Sequence, residues 1–423
     1  MTVRLSRRDT LLFTGAIAAA GVLPRVSSPA IAAPLRTHDI DAVLKARIEA
    51  GDAPGVVAMA ATKDAVIYQG AFGARAANAK VLGAPTPMSI DTVFAIASMT
   101  KLLTSVAAMQ LVERGKLVLD EPAARIDPSL DAQQVLDGFD AKGNPQLRVA
   151  RKPITLRHLL THTSGFSYQL WDANVLRYGK LARNNPALPR GPLMFDPEAR
   201  WAYGASLDRV GRLVEIVSGQ TLDRYFRDHI TGPLGMHDTA YAISDAQRAR
   251  QASLHVRKGD GRLVAQPLVK QAEPKEFSGG GGLKSTAPDY LILLQAILNG
   301  GGLPGKRILQ PQTVDQMSIN QIGDIDAGIL KTTNPGLSDD VDFFPGVRLR
   351  WGLGGMLNID QVAGGRAAGS QTWAGLYNTY YWIDPASRLA GVIMTQILPF
   401  ADRRALGVYR QFERGIYRGY KSA

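Results

Sequence analysis

Apolar positions along this chain follow two different periods. Residues 55–61 and 65–70 are short apolar or alternating runs parted by Lys63-Asp64, which predicts two antiparallel strands. Residues 348–356, 379–383 and 389–395 repeat that pattern near the carboxyl end. Between them the apolar residues recur at three and four. That spacing predicts helices over 102–112, stopped near Gly115, over 206–218, closed by Gly219, and over 222–230 and 288–298. A short helix is expected at 155–161, and longer ones at 39–51 and 401–417. Strands at both ends and helices in the middle imply an α/β (α+β) fold. One antiparallel sheet, built from the two chain ends and flanked by helices, carries an inserted, mainly helical lobe. The sheet lobe is expected over about 33–95 and 285–423, and the helical lobe over about 96–284.

The first 32 residues read as a targeting segment rather than as fold. Arg7-Arg8 precede an apolar run of 13 residues, Leu11 to Leu23, and Ala30-Ile31-Ala32 offers a small-x-small cleavage site. A bilayer-spanning helix takes about 20 residues, so no stable span is expected once this segment is cleaved. Paired arginines ahead of a weakly apolar Ala/Gly run resemble a twin-arginine export signal, which implies a periplasmic or secreted protein.

Composition narrows the partners. Of the net charge of +12, the first 32 residues supply +3, from Arg4, Arg7, Arg8 and Arg25 against Asp9. The other cations are scattered, with no run of five or more, so charge brings no nucleic-acid motif with it. The chain has no cysteine, which excludes disulfides, thiol nucleophiles and thiolate metal sites.

Candidate chemistry begins at Phe94-Ala95-Ile96-Ala97-Ser98-Met99-Thr100-Lys101. Residues three apart lie on one helix face, so the Ser98 hydroxyl and the Lys101 amine can meet locally. A hydroxyl needs a base beside it to become a nucleophile, and a lysine kept partly unprotonated can be that base. Tyr203, ahead of the 206–218 helix, is a second candidate, because a phenol beside a lysine can take and return the serine proton. Which of Lys101 and Tyr203 is the base stays open, since the two titrate together. Trp373-Ala374-Gly375-Leu376, before the 379–383 strand, is a third candidate. A glycine at a sheet edge lets backbone approach a ligand, and the neighbouring N–H can face an oxyanion. His158 and His162 have chelating spacing, but Leu159 stands where a metalloprotease helix needs glutamate, so no metal is expected. The run Gly279 to Gly282 lacks the glycine that a phosphate loop places before its lysine, Leu283 standing there, and reads as a tight turn feeding a helix.

With these pieces in order, the chain resembles the serine β-lactamase-like superfamily, and within it the class C-like, family VIII carboxylesterases and transesterases. The resemblance is carried by the Ser98 stretch, by Ile154-Thr155-Leu156-Arg157-His158-Leu159-Leu160-Thr161-His162-Thr163-Ser164-Gly165, and by Tyr203. It continues in Pro233-Leu234-Gly235-Met236-His237-Asp238-Thr239, Gly280-Gly281-Gly282-Leu283-Lys284-Ser285-Thr286-Ala287-Pro288-Asp289-Tyr290 and Trp373-Ala374-Gly375. It implies a β-lactamase/transpeptidase-like fold and a serine carboxylesterase that needs no cofactor. Ser98 would be the nucleophile, Lys101 and Tyr203 the acid–base pair, and the N–H groups of Ser98 and Leu376 the oxyanion hole. Trp373 and Gly375 would line the substrate. Two departures bear on substrate. Lactam-processing members have Tyr-x-Asn where this chain has Ala205, and a cation in Lys-Thr-Gly where it has Trp373. Both steer the expectation toward a small-molecule ester with neutral parts. A β-lactamase or D-stereospecific peptidase, and a non-catalytic penicillin-recognising scaffold, are the rival readings.

Overall fold

A computed structural model describes residues 37–76, 86–269 and 272–421; residues 1–32, the expected targeting segment, lie outside them. The described residues form one compact unit. Its strands in chain order are β1 (Gly55–Thr62), β2 (Val66–Ala76), β3 (Thr86–Pro87), β4 (Leu349–Trp351), β5 (Met356–Asn358), β6 (Gln371–Gly375), β7 (Thr379–Asp384) and β8 (Leu389–Met394). They make one antiparallel sheet in the order β4-β5-β6-β7-β8-β1-β2-β3. The two chain ends meet between β1 and β8, with Val57 opposite Met394 and Thr62 opposite Leu389. Both strands are buried on both faces, as their unbroken apolar sequences require.

Two strand expectations need correction. The single strand over 348–356 is the hairpin β4–β5, because Gly352 N–H bonds the Gly355 carbonyl and turns the chain. Trp373-Ala374-Gly375, expected at a sheet edge just before the 379–383 strand, is itself part of a strand, β6, which lies inside the sheet between β5 and β7 with all five residues buried. Alternation is the sign of a half-buried strand, and β6 has no exposed face to produce it.

The main helices are α1 (Thr37–Glu49), α2 (Thr100–Glu113), α3 (Ser206–Ser218), α4 (Ala287–Leu298) and α5 (Arg403–Lys421). α1 packs on α5, α4 covers β1 and β8, and α2 packs on α3. α2 is buried from Thr100 to Leu111, consistent with its nearly all-round apolar sequence, and this makes it a rigid interior post for whatever sits at its start. The segment at 222–230 is helical only over Leu222–Phe226 and then widens into a π turn over Arg227–Thr231. The middle of the chain is not purely helical. It holds a hairpin, Gln134–Phe139 with Pro145–Val149, and two short strands, His255–Arg257 and Leu263–Ala265, the first pairing in parallel with Ile397–Leu398.

A buried ion pair ties α5 to the loop before β6. Arg366, 0 % exposed, donates from Nε and Nη2 to the two Glu413 oxygens at 2.8 Å each, and also bonds the Tyr409 hydroxyl. Its guanidinium lies 4.9 Å from the Phe344 ring centre and 5.6 Å from that of Trp382.

Candidate active site

Ser98 sits half-buried in a single turn, Ala97–Met99, directly ahead of α2. The turn is held from three sides. Ile96 N–H bonds the Leu283 carbonyl, Met99 N–H bonds Ile96, and the Tyr290 hydroxyl of α4 bonds the Met99 carbonyl at 2.9 Å. Ala97 takes a left-handed φ of 43°, which costs a non-glycine residue on the order of 1 kcal/mol and turns the chain into the helix. Lys101 lies in the first turn of α2, and its Nζ donates to Ser98 Oγ at 3.1 Å, as the spacing predicts. Its second acceptor is the Gly280 carbonyl, at 2.6 Å.

That carbonyl belongs to the glycine run. Thr104 Oγ1, one turn beyond Lys101, bonds the Gly279 carbonyl at 2.7 Å. A Cβ on Gly279 would stand 2.2 Å from the Leu207 carbonyl and 3.0 Å from Gly211 Cα, so only glycine lets this strap lie between α2 and α3. The run is thus a close-packed strap that presents an acceptor to Lys101.

Tyr203, 2 % exposed, immediately precedes α3 and is ringed by aromatic side chains. Ring centres of His162 and Trp373 lie 4.7 Å away, with Trp171 at 5.4 Å and Tyr168 at 5.6 Å. Trp373 Nε1–H donates to Tyr203 Oη at 2.9 Å. Lys101 Nζ is 4.9 Å from the Tyr203 ring centre and interacts with the phenol oxygen. Ser98, Lys101, Tyr203 and Trp373 therefore converge. Gly375 joins them through its backbone, since a Cβ there would fall 2.3 Å from the Ile96 carbonyl and 2.4 Å from Thr379 Oγ1. The end of β6 thus touches the Ser98 turn, and half-buried Leu376 follows directly.

Electrostatics assign protonation states. Burial pushes Lys101 toward its neutral form, but the oxygens of Tyr168 and Tyr203 and the Asp208 carboxylate outweigh it, and the amine is held above the usual lysine range. It is an ammonium at neutral pH. Burial raises Tyr168, with Lys101 opposing and Asp208 adding to the rise. Burial, with Lys101 adding, pushes His162 well below the usual histidine range, so the ring is neutral. The two histidines at chelating spacing do not converge. His158 Nδ1 accepts the Thr155 N–H in a helix cap, while His162, at φ 59°, turns inward and accepts Gly204 N–H at 3.4 Å.

Sequence reasoning missed Tyr168, Trp171, Trp201, Trp351, Asp208 and the acceptor role of Gly280. The aromatic wall is closed by two distant loops that lack regular periodicity. Thr333 N–H bonds the Leu170 carbonyl at 2.9 Å, and Trp171 Nε1–H bonds Ser338 Oγ at 3.2 Å. The only local sign was the density of aromatics in 166–171 and 201–203.

A family profile described as Beta-lactamase matches residues 40–415. The chain belongs to the β-lactamase family. It is an enzyme of the serine β-lactamase superfamily and has that superfamily's fold, as the resemblance implied. It is 34% identical over 408 residues to monacolin J acid methylbutanoyltransferase of Aspergillus terreus, covering 90% of this chain and 96% of that protein. To lovastatin esterase of Penicillium rubens it is 30% identical over 403 residues, covering 90% and 99%. Unliganded simvastatin synthase from Aspergillus terreus, solved as its selenomethionyl derivative, superposes with a TM-score of 0.80 at 32% identity, over 91% of this chain and 99% of that one. Relatives with transferase names and with an esterase name thus share this family's fold and most of this chain's length. Among the described residues no helix is long and apolar enough to cross a membrane.

Proposed function

We propose that this enzyme cleaves carboxylic esters of small, largely neutral molecules through an acyl-Ser98 intermediate. Ser98 Oγ attacks the ester carbonyl while its proton passes to Tyr203, which acts in this step as the phenolate. Base duty falls there because Lys101 keeps its own proton. Trp373 Nε1–H donates to the Tyr203 oxygen at 2.9 Å and the Lys101 ammonium lies 4.9 Å from its ring centre, so both face the group that takes the proton. The carbonyl oxygen, now an oxyanion, lies between the N–H groups of Ser98 and Leu376. A single such donor contributes about 10²–10³-fold in rate. The C–O bond to the alcohol part then breaks, Tyr203 returns the proton to the departing oxygen, and acyl-Ser98 remains. Water or a second alcohol attacks it, gives up its proton by the same route and frees Ser98.

The observation that carries the ester reading is the Trp373–Tyr203 bond inside an aromatic box. Lactam-processing members place a carboxylate-binding cation at that position. An apolar indole with its N–H already engaged favours neutral acyl or alcohol groups instead. Purified enzyme is expected to turn over a short-chain nitrophenyl ester clearly faster than a chromogenic cephalosporin, and the reverse ranking would sink the ester reading. A fluorophosphonate probe should label the enzyme and fail on Ser98→Ala; an unlabelled intact protein would favour an inert scaffold.

Acyl transfer is a second reading, supported by the relatives named as acyltransferases. Adding a small alcohol to the ester assay should divert product from free acid to the new ester, and no diversion would leave hydrolysis alone. We further propose that the chain is exported. Fractionation of the native host should place it outside the cytoplasm without residues 1–32, and a cytoplasmic chain that retains them would refute this.

A further inference from the structure

The glycine strap has a fastening that the steps above do not use. Asp208 stands on α3, five residues past Tyr203. One of its carboxylate oxygens accepts the Gly280 N–H at 3.0 Å and the Ser278 hydroxyl, and the other lies 3.5 Å from the Tyr168 hydroxyl. Gly280 is also the residue whose carbonyl takes the Lys101 ammonium at 2.6 Å. Only glycine fits there without displacing its neighbours, because a Cβ would lie 2.8 Å and 2.9 Å from the Asp208 oxygens and 3.0 Å from the Tyr168 hydroxyl. Lys101 and Thr104 thus pull the strap toward α2, and Asp208 holds it on α3. Ala205, which stands where lactam-processing relatives carry an asparagine, has no polar side-chain atom to offer Lys101. The groups that face the ammonium are Ser98 from its own turn, His162 and Tyr168 from the 162–171 loop, Tyr203, the Gly280 carbonyl and, behind it, Asp208.

We propose that Asp208 is a positioning residue for proton transfer at Ser98. It fixes the Gly280 carbonyl where that carbonyl aims Lys101, and it supplies a carboxylate charge behind the ammonium. The inference rests on the acyl-Ser98 reading. It separates two contributions that two variants can resolve. Asp208→Ala removes both the hydrogen bonds and the charge. Asp208→Asn keeps an oxygen for Gly280 N–H and loses only the charge.

The experiment measures the rate of Ser98 labelling by a fluorophosphonate, and kcat and KM on a nitrophenyl ester, from pH 6 to 11. Asp208→Ala should lower kcat and the labelling rate about 10²-fold, the scale set by roughly 1 Å of misplacement, with KM changed little. Asp208→Asn should recover most of that loss. The parent should keep its rate up to pH 11, whereas both variants should bring the alkaline limb, where the ammonium loses its proton, into the measured range, because an attraction that held the proton is gone. An Asp208→Ala enzyme with the rate and alkaline limb of the parent would overturn the proposal. So would a loss in both variants accompanied only by a lower melting temperature, with the pH profile unmoved. An unlabelled parent enzyme would instead bring down the acyl-Ser98 reading, and the role of Asp208 with it.

Discussion

Among the described residues two cations, Lys101 and Arg366, are buried, and they are held in different ways. Arg366 meets a full counter-charge, Glu413, through two hydrogen bonds and is flanked by the rings of Phe344 and Trp382. Lys101 also lies against aromatic rings, but its hydrogen bonds go to a serine hydroxyl and a peptide carbonyl, and the Asp208 carboxylate acts on it from behind Gly280. A buried cation matched by a carboxylate has nothing to exchange and serves as a fastening. One surrounded by hydroxyls stabilises whichever of them gives up its proton. The same element of cost, a charge out of water, is structural near α5 and chemical near α2.

Breaking each cation in turn should therefore produce opposite signatures. Lys101→Met is expected to lower ester turnover about 10⁴-fold or more, as loss of a member of a catalytic triad does, while the melting temperature stays near that of the parent. Glu413→Ala should leave Arg366 uncompensated and cost about 3–5 kcal/mol of stability, read as a lower denaturation midpoint, with kcat per folded molecule retained. If Glu413→Ala instead lost kcat at unchanged stability, the contrast between the two cations would fail. Trp373→Phe keeps the ring and removes the donor to Tyr203, so kcat should fall about tenfold with the fold intact, the scale of one hydrogen bond to a charged group.

The smallest effects concern pH and should sharpen the same contrast. Lys101 and the buried tyrosines, including Tyr409 pushed up to about 12 by burial, hold protons more tightly folded than unfolded. Their contribution is complete below about pH 10 and drains away as pH rises toward 12. His162 works in the other sense. Its depressed value means that stability is full above about pH 6.5 and declines as pH falls below it. Melting temperatures from pH 5 to 12 should form a plateau between these limits, and the acid shoulder should weaken in His162→Asn.

The Ser98–Lys101 pair was legible because one helical turn brings it together, needing no knowledge of the rest of the chain. Tyr203 and Trp373 were legible singly as candidates and as one site only through the resemblance to a family, because 170 residues separate them and no local rule predicts that an indole will bond a phenol. Asp208 was not legible at all, and Tyr168 only as one ring of an aromatic-dense stretch. Their meaning lies in where the strap at Gly280 runs, and that path is set by the clearance between Gly279, Gly211 and Leu207. The fold outline was readable from periodicity at β1, β2, β7 and β8. It failed at β4–β5 and at β6, where a glycine turn and two-sided burial erase the signal.

The pairing of β1 with β8 also has a meaning in time. Val57 and Met394 are 337 residues apart. A ribosome adding about 5–20 residues per second needs roughly 20–70 s between them. Throughout that interval one edge of β1, an apolar strand destined for the middle of the sheet, has no partner and can recruit the same strand of a neighbouring chain. Synthesis speed and crowding on a shared message should thus govern the yield of this enzyme. Ser98 is made early, yet it meets Trp373 and Gly375 only when the last strands arrive, so a nascent chain carries the proposed nucleophile long before the site around it is complete.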